Sequence, residues 1–199
     1  MRARFITSGA KPGDFPSHGL PEVAFLGRSN VGKSSLLNAV VGARIARTSR
    51  TPGRTQLVNF FEAHTKAVDY ALADLPGLGY AKVPREIRDG WRRLIESYLE
   101  TRAPLRALLL LLDLRRGAQE EDVALFARMR GLLEPRGVSL FVVGTKADKL
   151  SKPELKPALA AIAKALGVDR DRVLATSVTK NAGVEELRAV IEGLAADRG

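Results

Sequence analysis

The sequence lacks several residue types and patterns on which whole classes of protein depend. It contains no cysteine, which excludes disulfide bonds and thiolate metal sites. Its two histidines, His18 and His64, are far apart and form no zinc-binding pattern. The longest fully apolar run, Ala107 to Leu112, is far shorter than the ~20 residues of a membrane-spanning helix, and the first residues lack the apolar core of a secretion signal. We therefore expect a soluble, cytoplasmic protein without stable membrane association.

The remaining composition is that of one globular domain. The chain has 199 residues, 45% of them hydrophobic, and no linker rich in proline or serine. We expect residues 1–20 to form an irregular or short-strand extension and residues 21–199 to form a single domain.

Strand-like and helical segments alternate along the chain, which predicts an α/β fold with a mostly parallel sheet and helices on both faces. The segments 56–63 and 66–73 are separated only by a turn, so we expect one antiparallel strand in a sheet of six. The six predicted strands are 22–26, 56–63, 66–73, 105–112, 138–143 and 173–176. The predicted helices are 34–41, 84–101, 119–133, 153–166 and 184–195.

Positive charge is in excess. The chain has 32 Lys and Arg against 22 Asp and Glu, a formal charge of +10 and a pI near 10.3. This balance favours RNA, DNA or an acidic surface as a partner. The alternative is an arginine-rich composition that only leaves solvated faces. Arginine is concentrated in two groups: Arg44, Arg47, Arg50 and Arg54, and Arg85, Arg88, Arg92 and Arg93.

A phosphate-binding loop follows the first strand of the predicted domain. Its residues are Gly27, Arg28, Ser29, Asn30, Val31, Gly32, Lys33 and Ser34, which match the pattern G-x-x-x-x-G-K-[ST]. The glycines let successive N–H groups face phosphate oxygens, Lys33 reaches the outer phosphates, and the Ser34 hydroxyl binds magnesium. A helical pattern follows the loop, as this motif requires. The sequence therefore predicts a nucleoside triphosphate site with Mg²⁺.

The base is predicted by a second motif, Thr145-Lys146-Ala147-Asp148, which follows a buried strand. The Asp148 carboxylate can accept two hydrogen bonds from the N1–H and 2-amino group of guanine, which adenine does not offer. Lys146 would lie along the base plane. A further contact to the guanine carbonyl is expected from the end of the last strand, at Ala175, Thr176 and Ser177. We therefore expect GTP and GDP as ligands.

A third motif, Asp74-Leu75-Pro76-Gly77, ends the second hairpin strand. Asp74 would hold magnesium through water, and the Gly77 N–H would meet the γ-phosphate. A second magnesium ligand is expected from the preceding loop, where Thr48, Thr51 and Thr55 are candidates. Ordering of this loop by the γ-phosphate would couple the nucleotide state to shape.

Together these motifs resemble the EngB/YsxC group of bacterial GTP-binding proteins over nearly the whole chain. The element typical of that group is Thr51-Pro52-Gly53-Arg54-Thr55-Gln56. The resemblance implies a Ras-like P-loop NTPase fold and makes Thr55 the switch threonine and, with Ser34, a magnesium ligand. It places Gly53, Arg54, Thr55, Gln56 and Leu57 against the nucleotide. It also implies a role in assembly of the large ribosomal subunit, with rRNA and ribosomal proteins as partners, and in cell division with normal septation.

Hydrolysis is expected to be slow. Lys33, Asn30 and Gly77 are the candidate catalytic residues, but Leu78, directly after Gly77, cannot orient a water molecule. The missing group would come from a partner, a cation or another residue. Similar GTPases with asparagine at the position of Asn30 can use potassium where others use an arginine finger. The alternative is that Asn30 only caps the loop, and both interpretations stay open here.

Three functions fit these observations. The first is a monomeric GTPase switch that binds the assembling 50S subunit through rRNA. The second is a GTPase that acts on division or membrane machinery without contacting rRNA. The third is an RNA-binding module in which the nucleotide only stabilises the fold.

Overall fold

A single sheet forms the centre of the protein. The computed structural model describes residues 1–46, 57–78 and 84–197. Its strands are β1 (Arg2–Gly9), β2 (Glu22–Gly27), β3 (Val58–His64), β4 (Asp69–Asp74), β5 (Leu105–Asp113), β6 (Ser139–Thr145) and β7 (Val173–Ala175). Its helices are α1 (Lys33–Val41), α2 (Arg85–Thr101), α3 (Glu120–Leu133), α4 (Lys152–Leu166) and α5 (Val184–Ala196). The strand order is β1-β3-β4-β2-β5-β6-β7.

The α/β fold and the mostly parallel sheet are confirmed, but the count of six strands is wrong. The described residues form a sheet of seven strands, because residues 2–9 of the predicted extension pair with β3 along its whole length. The prediction of one antiparallel strand holds, since β3 runs against both of its neighbours. The extension therefore supplies an edge strand to the same sheet.

Helices cover both faces of the sheet. On β5, Leu108, Leu110 and Leu112 face α2, α3 and α4. The alternate residues of β5 face α1 and α5 on the opposite side. Such a strand is buried on both faces, which explains its continuous apolar run. Nowhere in the described part of the chain is there a helix long and apolar enough to cross a bilayer.

A buried ionic cluster fastens the N-terminal segment at the end of the sheet opposite the loops that follow β2, β4, β5 and β6. Glu22 accepts hydrogen bonds from Tyr98 Oη (2.5 Å), from Arg102 Nε (2.9 Å) and from His18 Nε2 (2.8 Å). Burial would raise the pKa of the Glu22 carboxyl, but the hydrogen bonds from His18, Arg102 and Tyr98 outweigh it and hold this pKa below the ordinary value. The fully buried charge is therefore well compensated.

The strand ends determine where a ligand can bind. Gly27, Asp74, Asp113, Thr145 and Ala175 end five parallel strands and so meet at one edge of the sheet. In open α/β sheets, ligands bind at this carboxyl edge. All three predicted motifs begin or end there.

Candidate functional site

The phosphate loop connects β2 to α1 and requires glycine at one position. Gly32 adopts φ +102°, a conformation that side chains rarely take, and Lys33 starts the helix directly after it. The N-terminus of α1 thus points its free N–H groups and positive dipole end at the space above the loop. Gly27 lies so close to the Leu111 carbonyl oxygen that a Cβ would meet it at 3.0 Å. The geometry is that of an anion site.

Lys33, Ser34 and Asp74 come together beside the loop. The Lys33 ammonium forms an ion pair with Asp74, and both side chains are less than a tenth exposed. Ser34 Oγ lies 3.5 Å from Asp74 Oδ2. A hydroxyl and a carboxylate oxygen are the hard donors that magnesium prefers, and this ion commonly takes only one or two protein ligands beside phosphate oxygens. The donor set therefore fits Mg²⁺.

The segment after Asp74 runs alongside the phosphate loop. Leu78 donates its backbone N–H to Gly27 O (3.0 Å) and accepts a hydrogen bond from the Ser29 N–H (2.8 Å). Leu75 N–H donates to Phe25 O (3.1 Å). Backbone hydrogen bonds thus carry Gly77 past the start of the loop. The half-buried side chain of Leu78 packs against the apolar core.

The second motif is bonded to the opposite side of the phosphate loop. Thr145 Oγ1 donates to Val31 O at 2.8 Å, and the side chain is buried. Lys146 Nζ donates to Asn30 O at 2.7 Å. Asn30 itself is exposed with φ +62°, a left-handed conformation that asparagine tolerates well. The backbone of Asn30 is therefore tied to the motif that is predicted to read the base, while its side chain faces solvent.

Asp148 is oriented by the end of the last strand. Ser177 Oγ donates to Asp148 Oδ1 at 2.6 Å, and this hydrogen bond holds the pKa of the Asp148 carboxyl below its ordinary value. Ala147 N–H donates to Thr176 O at 3.0 Å. The two segments predicted to read the base are thus brought together. Gly183 closes the following loop so tightly that a Cβ there would lie 2.0 Å from Ala175 O.

One carboxylate at this edge was missed by the sequence reasoning. Asp113, at the end of β5, accepts a hydrogen bond from Lys146 Nζ at 3.0 Å and a paired contact from Arg115, with Nη2 to Oδ2 at 2.6 Å. Burial would raise the pKa of the Asp113 carboxyl, but the hydrogen bonds from Arg115 and Lys146 hold it well below the ordinary value. The sequence held part of the signal, because Asp113 directly follows the predicted buried strand 105–112, but its contact with Lys146 depends on the register of β5 and β6.

A second missed contact joins the phosphate loop to α3. Arg28 Nη1 lies 2.5 Å from Glu121 Oε2, near the start of that helix. The sequence analysis placed Arg28 in the phosphate loop and named no partner for its side chain. Its side chain points away from the loop, toward the space between α2 and α3.

The described parts of the predicted site lie along one edge: Gly27 to Ser34, Asp74 to Gly77, Thr145 to Asp148, and Ala175 to Ser177. Leu57 is exposed just before β3. The predicted residues Gly53, Arg54, Thr55 and Gln56, and the alternatives Thr48 and Thr51, lie outside the described residues. Their roles stay predictions.

Comparison with known proteins finds clear relatives of this chain. The family described as "50S ribosome-binding GTPase" matches residues 22–146. A probable GTP-binding protein EngB from Geobacter metallireducens is 44% identical over 191 residues, covering 96% of this chain and 90% of that protein.

Solved structures share the fold. The crystal structure of a probable GTP-binding protein engB has a TM-score of 0.71 at 24% identity and covers 89% of this chain and 100% of its own. Era in complex with MgGDPNP and a segment of 16S ribosomal RNA has a TM-score of 0.72 at 22% identity, with 90% of this chain and 58% of Era covered. At these identities the structures support the fold alone. The full-length similarity in sequence and the family match establish that this chain belongs to the EngB family of GTP-binding proteins, within the ribosome-binding GTPases.

Proposed function

We propose that this protein is a GTP-hydrolysing switch that acts in assembly of the large ribosomal subunit and is needed for normal cell division. The observation that carries the guanine part is the bonding of the base-reading motif to the phosphate loop through Thr145 and Lys146. These contacts hold Asp148 at a set distance from Lys33. A guanine base and a triphosphate can then be bound by one rigid unit.

Each residue around the triphosphate has a distinct role in this proposal. The loop N–H groups and the Lys33 ammonium bind the outer phosphate oxygens. Ser34 and, through water, Asp74 hold magnesium, and Thr55 adds a ligand from the preceding loop. When bound, magnesium supplies charge neutralisation on the β- and γ-phosphates. Asp74, which pairs with Lys33 in this structure, would help to hold the ion.

Hydrolysis is proposed to be slow without help, because no side chain directly after Gly77 can orient the attacking water. Leu78 is apolar and packs on the core instead. The exposed Asn30 side chain is free to bind a potassium ion beside the phosphates. Equal hydrolysis rates in potassium and in sodium, with and without ribosomal subunits, would exclude that use of potassium.

The guanine assignment is tested by Asp148→Asn. The new amide places a donor against the 2-amino group of guanine, whereas xanthine presents an acceptor there. We expect GTP affinity to fall by about 1.5 to 3 kcal/mol, roughly ten- to a hundredfold, and xanthosine triphosphate affinity to rise. Titration with fluorescent nucleotides measures both. Asp171→Asn, at an exposed carboxylate away from the site, is the matched control. Unchanged GTP affinity in Asp148→Asn would rule out Asp148 as the guanine reader.

The ribosomal part is supported by the family description and by the +10 charge of the chain. Large subunits and their precursors are sedimented with the protein bound to GDP or to a non-hydrolysable GTP analogue. We expect GTP-dependent binding that falls at least about tenfold between 50 and 200 mM salt, since phosphate contacts release counterions.

Other outcomes favour the competing functions. No binding at any salt concentration points to division or membrane machinery as the target. Binding that is indifferent to the nucleotide points to an RNA-binding module whose nucleotide is structural.

A further inference from the structure

A groove between α2 and α3 opens beside the phosphate loop. It encloses about 640 Å³, within the range of sites that hold small ligands or peptide side chains. Its floor is apolar and is formed by Trp91 and Ile95 of α2, Leu125 and Met129 of α3, and Leu78. This volume adjoins the predicted nucleotide site, with which it shares Arg28.

The acidic residues of the groove already have partners of their own. Glu121 pairs with Arg28 at 2.5 Å, and Glu96 pairs with Arg128 at 2.8 Å, so that each pair joins two walls of the groove. The buried Asp122 accepts a backbone hydrogen bond in the capping box that starts α3. Each of these carboxylates is thus paired with a group other than Arg88 or Arg92.

Two arginines on the α2 wall are not neutralised in this way. Arg88 and Arg92 are exposed, lie one helical turn apart and line the groove. Neither forms an ion pair with a carboxylate in residues 1–46, 57–78 or 84–197. The groove thus presents an apolar floor with two uncompensated positive charges on one rim.

We propose that this groove docks an acidic polypeptide segment of a partner protein. An apolar side chain of that segment would lie on the floor, and its carboxylates would pair with Arg88 and Arg92. Guanidinium groups bind carboxylates through paired, charge-assisted hydrogen bonds. RNA fits this surface less well, because Trp91 is only 5% exposed and cannot stack on a base.

The groove shares residues with the nucleotide site. Leu78, on its floor, is bonded through its backbone to Gly27 and Ser29. Arg28, on its rim, belongs to the phosphate loop. Docking that shifts these residues changes nucleotide affinity, and the nucleotide must change docking affinity by the same factor. This coupling rests on the function proposed above, whereas docking itself does not.

Trp91 makes the groove directly observable, because it is the only tryptophan in the chain. The probe is a short synthetic peptide of leucines separated by pairs of glutamates. Two control peptides replace glutamate by lysine or leucine by serine. We expect a saturable change in Trp91 fluorescence with the acidic leucine peptide and with neither control. No saturable change at any peptide concentration overturns the proposal.

Charge reversal tests whether Arg88 and Arg92 bind the acidic peptide. We expect Arg88→Glu with Arg92→Glu to weaken binding at least about tenfold. Arg93→Glu, exposed on the same helix but not lining the groove, leaves it unchanged. Circular dichroism and nucleotide binding show whether each variant is folded. Equal losses in the double variant and in Arg93→Glu overturn the proposal.

Other occupants give different results. Binding of an oligouridine RNA that depends on Arg88 and Arg92, in the absence of peptide binding, assigns the groove to RNA and overturns the proposal. A dimer of the wild-type protein in sedimentation that is absent in the double variant also overturns the proposal.

Nucleotide state tests the coupling separately. We expect peptide affinity to differ about fivefold or more between the GDP form and the form with a non-hydrolysable GTP analogue. Equal affinities overturn the coupling. Failure of the wild-type protein to bind guanine nucleotide contradicts the proposed function instead, and peptide binding can still be measured in that case.

Discussion

The phosphate loop is held from two sides by contacts of different kinds. On the side of the second motif, residues 145–148, which we call the base side, the hydrogen bonds come from side chains. Thr145 Oγ1 donates to Val31 O, and Lys146 Nζ donates to Asn30 O. On the side of the third motif, Leu78 bonds to Gly27 and Ser29 through its backbone alone. A side-chain contact requires a particular residue type, whereas a backbone contact accepts almost any residue except proline. The base side is therefore specified by a recognisable motif, and position 78 is free to serve another surface.

The largest expected effect is on the base side, at Gly183. In Gly183→Ala the new Cβ would meet Ala175 O at 2.0 Å, at a φ of +69°. We expect a loss of about 3 kcal/mol of unfolding free energy and weaker guanine binding, because the backbone at 175–177 must move.

Chemical denaturation and nucleotide titration measure both effects. The matched control is Gly193→Ala in α5, where no atom lies within 4 Å of the added Cβ. It should stabilise the protein slightly, since alanine favours a helix. A stable Gly183→Ala with normal guanine affinity would show that this loop does not shape the base site.

The next effect concerns the side-chain bond itself. Thr145→Val keeps the shape of a buried side chain and removes the hydroxyl that bonds to Val31 O and Leu112 O. We expect about 2 kcal/mol lower stability, because the single hydroxyl proton that these two carbonyls share is lost, and several-fold weaker GDP binding. Thermal unfolding and GDP titration are compared with Thr179→Val, an exposed position in the loop after β7. Equal effects in the two variants would contradict a special role for Thr145.

A smaller effect is expected at Asp113, which positions Lys146. Asp113→Asn removes the charge that holds Lys146 and Arg115, and we expect a loss of about 1 kcal/mol and weaker GDP binding by roughly threefold. The readout is the free energy of unfolding together with the GDP dissociation constant. In Lys146→Arg neither quantity should reach the wild-type value, because the guanidinium group cannot make both the Asn30 and the Asp113 contacts of the lysine.

The same carboxylate predicts a pH dependence. The folded-state pKa of Asp113 lies below its unfolded value, so its stabilising contribution is present above the ordinary Asp pKa of ~3.9. The contribution is lost as the pH falls below that value toward the folded pKa. Between about pH 5 and pH 3, a range that spans the ordinary Asp pKa, the free energy of unfolding of the wild type should therefore fall more steeply than that of Asp113→Asn. Urea unfolding measures it. Parallel curves would exclude this contribution.

The smallest effect is expected on the backbone-bonded side. Leu78→Met conserves volume and leaves both backbone hydrogen bonds, so we expect GDP affinity to change by less than about twofold. Leu78→Pro removes the N–H that donates to Gly27 O and should weaken GDP binding clearly. Titration of the two variants distinguishes them. A large loss in Leu78→Met would mean that the side chain, and not the backbone, supports the loop.

Much of the fold follows from local patterns. The helix after the phosphate loop ends at Val41 with Gly42 in the left-handed conformation, and the helix that ends at Leu166 is closed by Gly167 in the same way. β1 was harder to predict, because Arg2 to Gly9 alternates weakly and gains its stability from pairing with residues 58–64, far away in sequence. Such an edge strand carries little signal of its own.

The residues of the candidate site also fall into two groups, those that short sequence motifs predict and those that only the tertiary structure identifies. Lys33, Ser34, Asp74 and Asp148 belong to short motifs whose chemistry can be read from residue type and spacing. Asp113 belongs to no such motif, and its importance follows from the parallel register of β5 and β6, which places Asp113 opposite Thr145. The pair Arg28 and Glu121 likewise exists only because α3 begins beside the phosphate loop.

The sequence alone determined that this protein has a phosphate-loop motif, a second motif that is predicted to read guanine, and alternating strands and helices, because each of these depends on neighbouring residues. The contacts between the motifs are visible only in the tertiary structure. Lys146 donates hydrogen bonds to the phosphate loop and to Asp113, and Arg88 and Arg92 lie on the rim of an apolar groove beside Leu78. These contacts join residues distant in the chain, and only the packing of helices on a sheet brings such residues within bonding distance.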